Sequence, residues 1–220
     1  MEFSVMMGIL MEGFALTAEI FLITLVGSLP LGVVVALARM SKFKPLSLLV
    51  QFYISVMRGT PLMLQLMAIM FGPYYIFGLN MGSDWKFWAC AIGFILNYAA
   101  YFAEIYRSGI QSIPRGQYEA AEVLGYTKAQ TFMKIVLPQV IKRILPAMGN
   151  EVITLVKDTS IARIISLQEV IWAGYAFLKS SHGYKGLLWP LFFTGVYYLI
   201  FNGVLTLLFG WVEKKLSYFR

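Results

Sequence analysis

From Gly186 to Val212 the chain runs 27 residues without an Asp, Glu, Lys or Arg. A helix of that length is about 40 Å long, and the hydrocarbon core of a bilayer is about 30 Å thick, so the stretch reaches across one. Four further segments share the character. Phe14 to Ala38 carries one charge, Glu19, and Thr60 to Phe77 carries none. Phe87 to Glu104 has its acid at the last position, and Ile144 to Ser166 is interrupted by Glu151, Lys157, Asp158 and Arg163. The composition agrees: 59% of 220 residues are hydrophobic and 13% charged, against about 45–50% and about 25% in soluble domains. That balance excludes a soluble globular domain and equally a disordered chain. The expected fold is an all-α integral membrane protein, one transmembrane domain over residues 1–220 with five crossings.

The segment before the first span, Met1 to Gly13, holds Glu2 and Glu12 and no Lys or Arg. A secretory signal needs a basic start, so the span is expected to be retained. Glu19 lies near its outer edge, where a long side chain reaches the surface. Sidedness follows from Lys and Arg. One side collects Arg39, Lys42, Lys44, Arg107, Arg115, Lys128, Lys134, Lys142, Arg143, Lys214, Lys215 and Arg220, twelve in all. The other side has three: Lys86, Lys179 and Lys185. The N-terminus is therefore expected outside and the C-terminus in the cytoplasm. The net charge of +7 flanks apolar spans, so no nucleic-acid partner is expected.

Enzyme chemistry finds little support. No GxxxxGK[ST] phosphate loop occurs, and such a loop is what a P-loop ATPase needs. The single Cys, Cys90, sits in an apolar stretch, and the single His, His182, falls in an outer loop. One of each excludes a disulfide framework and a multi-Cys or HExxH metal site. Tyr74, Tyr75, Trp85, Trp88, Trp189, Trp211 and Tyr218 stand near span ends, as interfacial aromatic belts do.

The longest stretch between spans lies between the third and the fourth, on the basic side. Gln117 to Leu124 reads as a short helix closed by Gly125, and Thr127 as the cap of a second helix over 128–136 that ends before Pro138. Upstream, Pro45 to Met57 reads as an interfacial helix, with Pro61 at a first helical position. Within the long loop, Glu119-Ala120-Ala121, Gly125, Ile135, Leu137 and Pro138 spell EAA-x3-G-x9-I-x-L-P.

This pattern resembles the EAA loop of membrane subunits of bacterial ABC importers. Arg58-Gly59-Thr60-Pro61-Leu62, the Ala103 to Ile110 stretch, Leu145 to Glu151 and Lys157-Asp158-Thr159-Ser160 resemble the polar amino acid uptake branch of that family. The resemblance runs from about residue 14 to 215. It implies a multi-pass permease subunit in the bacterial cytoplasmic membrane, with a coupling loop at about 114–138 that docks on an ATPase. It also implies a second permease subunit, identical or a close paralogue, two cytoplasmic ATPase subunits and an extracytoplasmic amino acid-binding protein. ATP and Mg²⁺ then belong to the ATPases, and this chain holds no cofactor and no metal.

Ionisable groups at membrane depth usually face a cavity or a partner. Asn97, Tyr101 and Glu104 are spaced four and three and share a helix face. Glu151, Thr154 and Asp158 do the same on the fourth span, flanked by Asn150 and Lys157. One arrangement is a polar chamber between spans two, three and four for a zwitterionic amino acid. Glu104 and Asp158 then suit an ammonium group or a cationic side chain, with Glu151 a further candidate substrate contact. The backbone N–H groups near Gly59 and Thr60 suit a carboxylate, with Arg58 a further candidate substrate contact. An unwound Lys157-Asp158-Thr159-Ser160 adds backbone groups and hydroxyls. The other arrangement is structural, Glu104 with Lys157 and Arg58 with Asp158 or Glu151, or Arg58, Glu104 and Arg107 solvated at the interface. A rival function is a carrier or channel driven by an ion gradient, with Glu104 and Asp158 as proton or Na⁺ sites. Such a protein has no use for the EAA segment.

Overall fold

The computed structural model describes residues 3–179 and 188–216, and among these every regular element is helical, with no strand. The expectations placed on His182, Lys185, Tyr218 and Arg220 fall outside the described residues, as does the side chain of Lys179. The order is α1 (Phe3–Arg39), α2 (Lys44–Gly59), α3 (Leu62–Phe77), α4 (Trp85–Gln111), α5 (Arg115–Val123) and α6 (Lys128–Thr131). A π-helical turn (Phe132–Val136), α7 (Leu137–Asp158), a 3₁₀ segment (Thr159–Ile165), α8 (Val170–Lys179) and α9 (Leu188–Lys215) follow.

α4 is the central post. Its small residues Ala89, Gly93, Ala99, Ala100 and Ala103 are buried, and α1 lies along its length. The core between them and α7 is aromatic and aliphatic: Ile20 and Phe21 of α1, Phe94, Tyr98 and Phe102 of α4, and Val152, Leu155 and Val156 of α7. α9 closes against α7 but leaves most of its surface open, including Leu199, Val204, Leu207 and Trp211. An apolar surface of that extent on a helix long enough to span is what lipid covers.

By length and composition α1, α4 and α9 are able to cross a membrane among the described residues, and α2 with α3 forms a pair bent by 108° that qualifies jointly. α7 has 22 residues but carries Lys142, Arg143, Glu151, Lys157 and Asp158. The fourth span, expected over 144–166 with an interruption at Lys157–Ser160, is divided there: the α-helix ends at Asp158 and tightens into the 3₁₀ segment, which stops at Ser166 with φ 60°. The first helix also extends beyond the expected span, since α1 includes the eleven residues before Phe14, from Phe3.

The 108° bend falls where Thr60-Pro61 interrupts the backbone. Residue 60 is extended because a following proline disfavours the α conformation. Pro61 is therefore the N-cap of α3 and lies one residue before the helix, not in it.

α8 returns over the N-terminal half of α1. Its first three amides are all satisfied: Val170 N–H donates to Thr17 Oγ1 at 3.2 Å, and those of Ile171 and Trp172 donate to the two carboxylate oxygens of Glu169 at 2.7 and 2.8 Å. A helix start without such partners leaves orphaned donors.

Candidate functional site

The EAA segment folds as a knob. Gly125 has φ 77°, which L side chains rarely adopt, and it closes α5 with two backbone hydrogen bonds. Tyr126 N–H donates to Ala121 O at 3.0 Å and Gly125 N–H to Glu122 O at 2.9 Å, the double bond of a Schellman cap. Thr127 then opens α6 with a capping box. Gln130 N–H donates to Thr127 Oγ1 at 3.3 Å and Thr127 N–H to Gln130 Oε1 at 2.9 Å. The expected second helix does not end before Pro138. The π turn passes directly into α7, with Leu137 N–H donating to Phe132 O. A wider turn at that point accommodates the missing N–H and the ring of Pro138 without a break.

Ala121 is buried beneath α5, which packs on α6 and the π turn, while Ala120 and Glu119 are exposed. Val123 and Leu124 at the tip are 88% and 72% exposed. The knob is fixed to the bundle at its base. Gly109 of α4 lies so close to α7 that a Cβ there would collide with Ile144 Cγ2. Arg143 Nη1 donates to the backbone oxygen of Ser112, and also to its hydroxyl at 3.1 Å. Ile113, Val136 and Val140 fill the joint. Of the coupling residues, Ile135 and Leu137 are half-buried at this base and Pro138 is exposed.

The polar residues expected in one chamber are sorted into three groups. The first secures the break between α2 and α3. Asn97 Nδ2 donates to Met57 O at 3.0 Å and to Gln65 Oε1 at 2.9 Å, while Gln65 Nε2 reaches Thr60 Oγ1 at 2.8 Å. Gly59 and Thr60 belong to the end of α2, and Thr60 N–H already donates to Val56 O. The amides at the start of α3 are instead those following Pro61.

The second group is Arg58, Tyr101 and Glu104. The Glu104 carboxylate receives Arg107 Nε and Nη2 at 2.9 and 2.7 Å, and Arg58 Nη1 stands 3.8 Å away. The Arg58 guanidinium lies over the Tyr101 ring at 5.2 Å. The alternative pairs, Glu104 with Lys157 and Arg58 with Asp158 or Glu151, are therefore not formed. Arg107, one turn away on the same helix, takes Glu104, and Lys157 is exposed.

The third group is on α7. Asp158 accepts from Tyr98 Oη at 2.7 Å, and Glu151 stands half-buried two turns earlier on the same helix. The 3₁₀ segment does not unwind. Thr159 Oγ1 and Ser160 Oγ donate to Val156 O and Lys157 O of their own turn, so those hydroxyl protons are engaged. Thr159 is fully buried.

The model of binding-protein-dependent transport system inner membrane components matches residues 28–218. The chain belongs to this family. It is 39% identical over 208 residues to the arginine transport system permease protein ArtQ of Bacillus subtilis (strain 168), covering 94% of this chain and 92% of that one. To the putative glutamine transport system permease protein GlnP of Rickettsia bellii (strain RML369-C) it is 33% identical, covering 98% and 96%. A crystal structure of an amino acid ABC transporter with histidines superposes with a TM-score of 0.86 at 31% identity, over 98% of this chain and 99% of that one. An inward-facing MetNI methionine ABC transporter shares the fold, with a TM-score of 0.69 at 20% identity over 99% and 100%. The resemblance carried by the EAA segment thus extends along nearly the whole chain. This permease subunit is not favoured as a free-standing carrier.

Five residues with structural or site roles were not singled out by spacing. Tyr98 is one position round the helix from Asn97, and Gln65 is an amide in an otherwise apolar run. Glu169 stands just before an apolar helix, a capping position. Val123 and Leu124 face outward at the tip of the knob, and Val123 is the most exposed of the large apolar side chains described.

Proposed function

We propose that the chain is the permease subunit of an ATP-driven amino acid importer, and that the knob is the element through which cytoplasmic ATPases drive it. The supporting observation is the knob's construction: caps make it rigid, a glycine contact and Arg143 fix it to the ends of α4 and α7, and apolar residues crown its tip. A force applied at Val123 and Leu124 is then carried to the two helices that bear Tyr98, Glu151 and Asp158. Five crossings, with α2–α3 and α7 completing the second and fourth, put the N-terminus outside and the C-terminus and knob in the cytoplasm, in keeping with the Lys and Arg distribution.

A second permease subunit completes the pathway, two ATPases bind ATP and Mg²⁺, and an external binding protein delivers the amino acid. Glu151 and Asp158 suit the substrate's ammonium group, and the N-terminus of α3 its carboxylate. Arg58, Tyr101 and Glu104 form the rim of this chamber, with Asn97 bracing it and Lys157, Thr159 and Ser160 shaping its α7 wall. ATPase closure tilts α4 and α7 and alternates access. Uptake in proteoliposomes containing the whole complex tests the energy source. Amino acid entry is expected to require ATP and the binding protein and to persist when proton and Na⁺ gradients are collapsed. Entry that tracks a gradient without ATP would overturn the reading.

A further inference from the structure

A cavity of about 240 Å³ opens between α1, α2 and α4, at the end of the bundle that carries Arg39 and Arg107. Arg39, Arg58, Arg107, Glu104, Gln51 and Ser55 line it. Three guanidinium groups face one carboxylate, a formal surplus of two positive charges (3 − 1 = 2). That carboxylate is already engaged by Arg107 and approached by Arg58. Arg39 donates to the uncharged hydroxyl of Ser47 at 2.7 Å. The lining therefore has spare cationic hydrogen-bond donors converging on an open volume, and arginine forks suit phosphate oxygens.

The position of the cavity selects the kind of phosphate. α2 runs along the middle and the basic-end half of α4: Tyr53 Oη donates to Leu96 O at 2.5 Å, and Ile54 packs with Ala100 and Ala103. The cavity itself lies at headgroup level, where Arg39 closes α1 and Arg107 stands one turn from the end of α4. Gln51, Ser55 and Arg58 are spaced four and three, one stripe facing the cavity. Leu48 and Phe52, each a helical neighbour of that stripe, are 64% and 69% exposed. A cationic slot and an open apolar ridge thus share one helix. A soluble anion matches the slot and has no use for the ridge. A molecule with a phosphate head and acyl chains matches both.

We propose that this cavity binds the headgroup of an anionic phospholipid, phosphate among Arg39, Arg58 and Arg107 and acyl chain along Leu48 and Phe52. The test is native mass spectrometry of the whole purified complex, equilibrated with phosphatidylglycerol or phosphatidylcholine of identical chains. The wild type is expected to retain phosphatidylglycerol selectively. Retention should fall about fivefold for each of Arg39→Gln and Arg107→Gln. Lys42→Gln/Lys44→Gln, which removes the same charge outside the cavity, should leave it unchanged. Millimolar glycerol 3-phosphate should not displace the lipid. Equal retention of both lipids by the wild type overturns the proposal whether or not the variants fold. So does undiminished retention by the arginine variants or an equal loss in the lysine control. Displacement by glycerol 3-phosphate would assign the cavity to a soluble phosphate and overturn it likewise.

Discussion

The knob and the polar groups inside the bundle are built on opposite plans. The hydrogen bonds that close the knob's turn are local, as in the Gly125 cap and the Thr127–Gln130 box, and longer ones only tie its base to α7. The inner groups are joined across the chain: Asn97 to Met57 over 40 residues, Asn97 to Gln65 over 32, Tyr98 to Asp158 over 60. Local bonds keep their geometry while the helices beneath them move, so the knob is a rigid handle. Long-range bonds exist only while the helices hold one arrangement, so the inner groups are where a change of arrangement is registered. Handle and sensor meet on the same two helices, α4 and α7.

That contrast is breakable by substitution, and the largest effect belongs to the handle. Gly125→Val places a β-branched side chain at φ 77°, a strain of about 1–2 kcal/mol confined to the cap. Uptake and binding-protein-stimulated ATP hydrolysis are both expected to collapse while the thermal unfolding midpoint of the purified subunit stays near wild type. A midpoint that drops with activity would mean that the knob supports the bundle as well.

Asn97→Leu reverses the pattern. It leaves Gln65 Oε1 without its donor in a buried site, which costs about 1–3 kcal/mol, and the thermal midpoint should fall with the ATPase contact intact in pull-down. An unchanged midpoint would show that the α2–α3 break needs no brace. The smallest effect is at Thr127→Ala. Loss of the capping box is worth about 1 kcal/mol, visible as faster amide exchange over 128–131 with transport nearly unchanged. Exchange spreading into α4 would contradict the local character of the knob.

The same division explains what was legible in the sequence. Gly125 as the closing glycine and Thr127 as a cap are short-range chemistry, and both are in place. The apolar runs located α1, α4 and α9 because lipid imposes length and composition on a spanning helix. Partners were not legible. Helix spacing put Asn97, Tyr101 and Glu104 on one face, yet Asn97 braces a helix break and Glu104 joins Arg107. Which donor reaches which acceptor depends on helix crossings 30 to 60 residues apart in sequence. An interruption of the fourth span at Lys157–Ser160 was legible, but its form was not: the chain tightens into a 3₁₀ segment instead of unwinding, with Thr159 fully buried against other elements.

The most direct test of the handle is Val123→Asp, measured as binding-protein-stimulated ATP hydrolysis by the reconstituted complex. Val123 is 88% exposed, so a charge there leaves the knob's fold alone and alters only what its tip meets. Hydrolysis and uptake are expected to be lost together with assembly in the membrane preserved. Full stimulation by the binding protein in this variant would show that the ATPases drive the permease through some other surface.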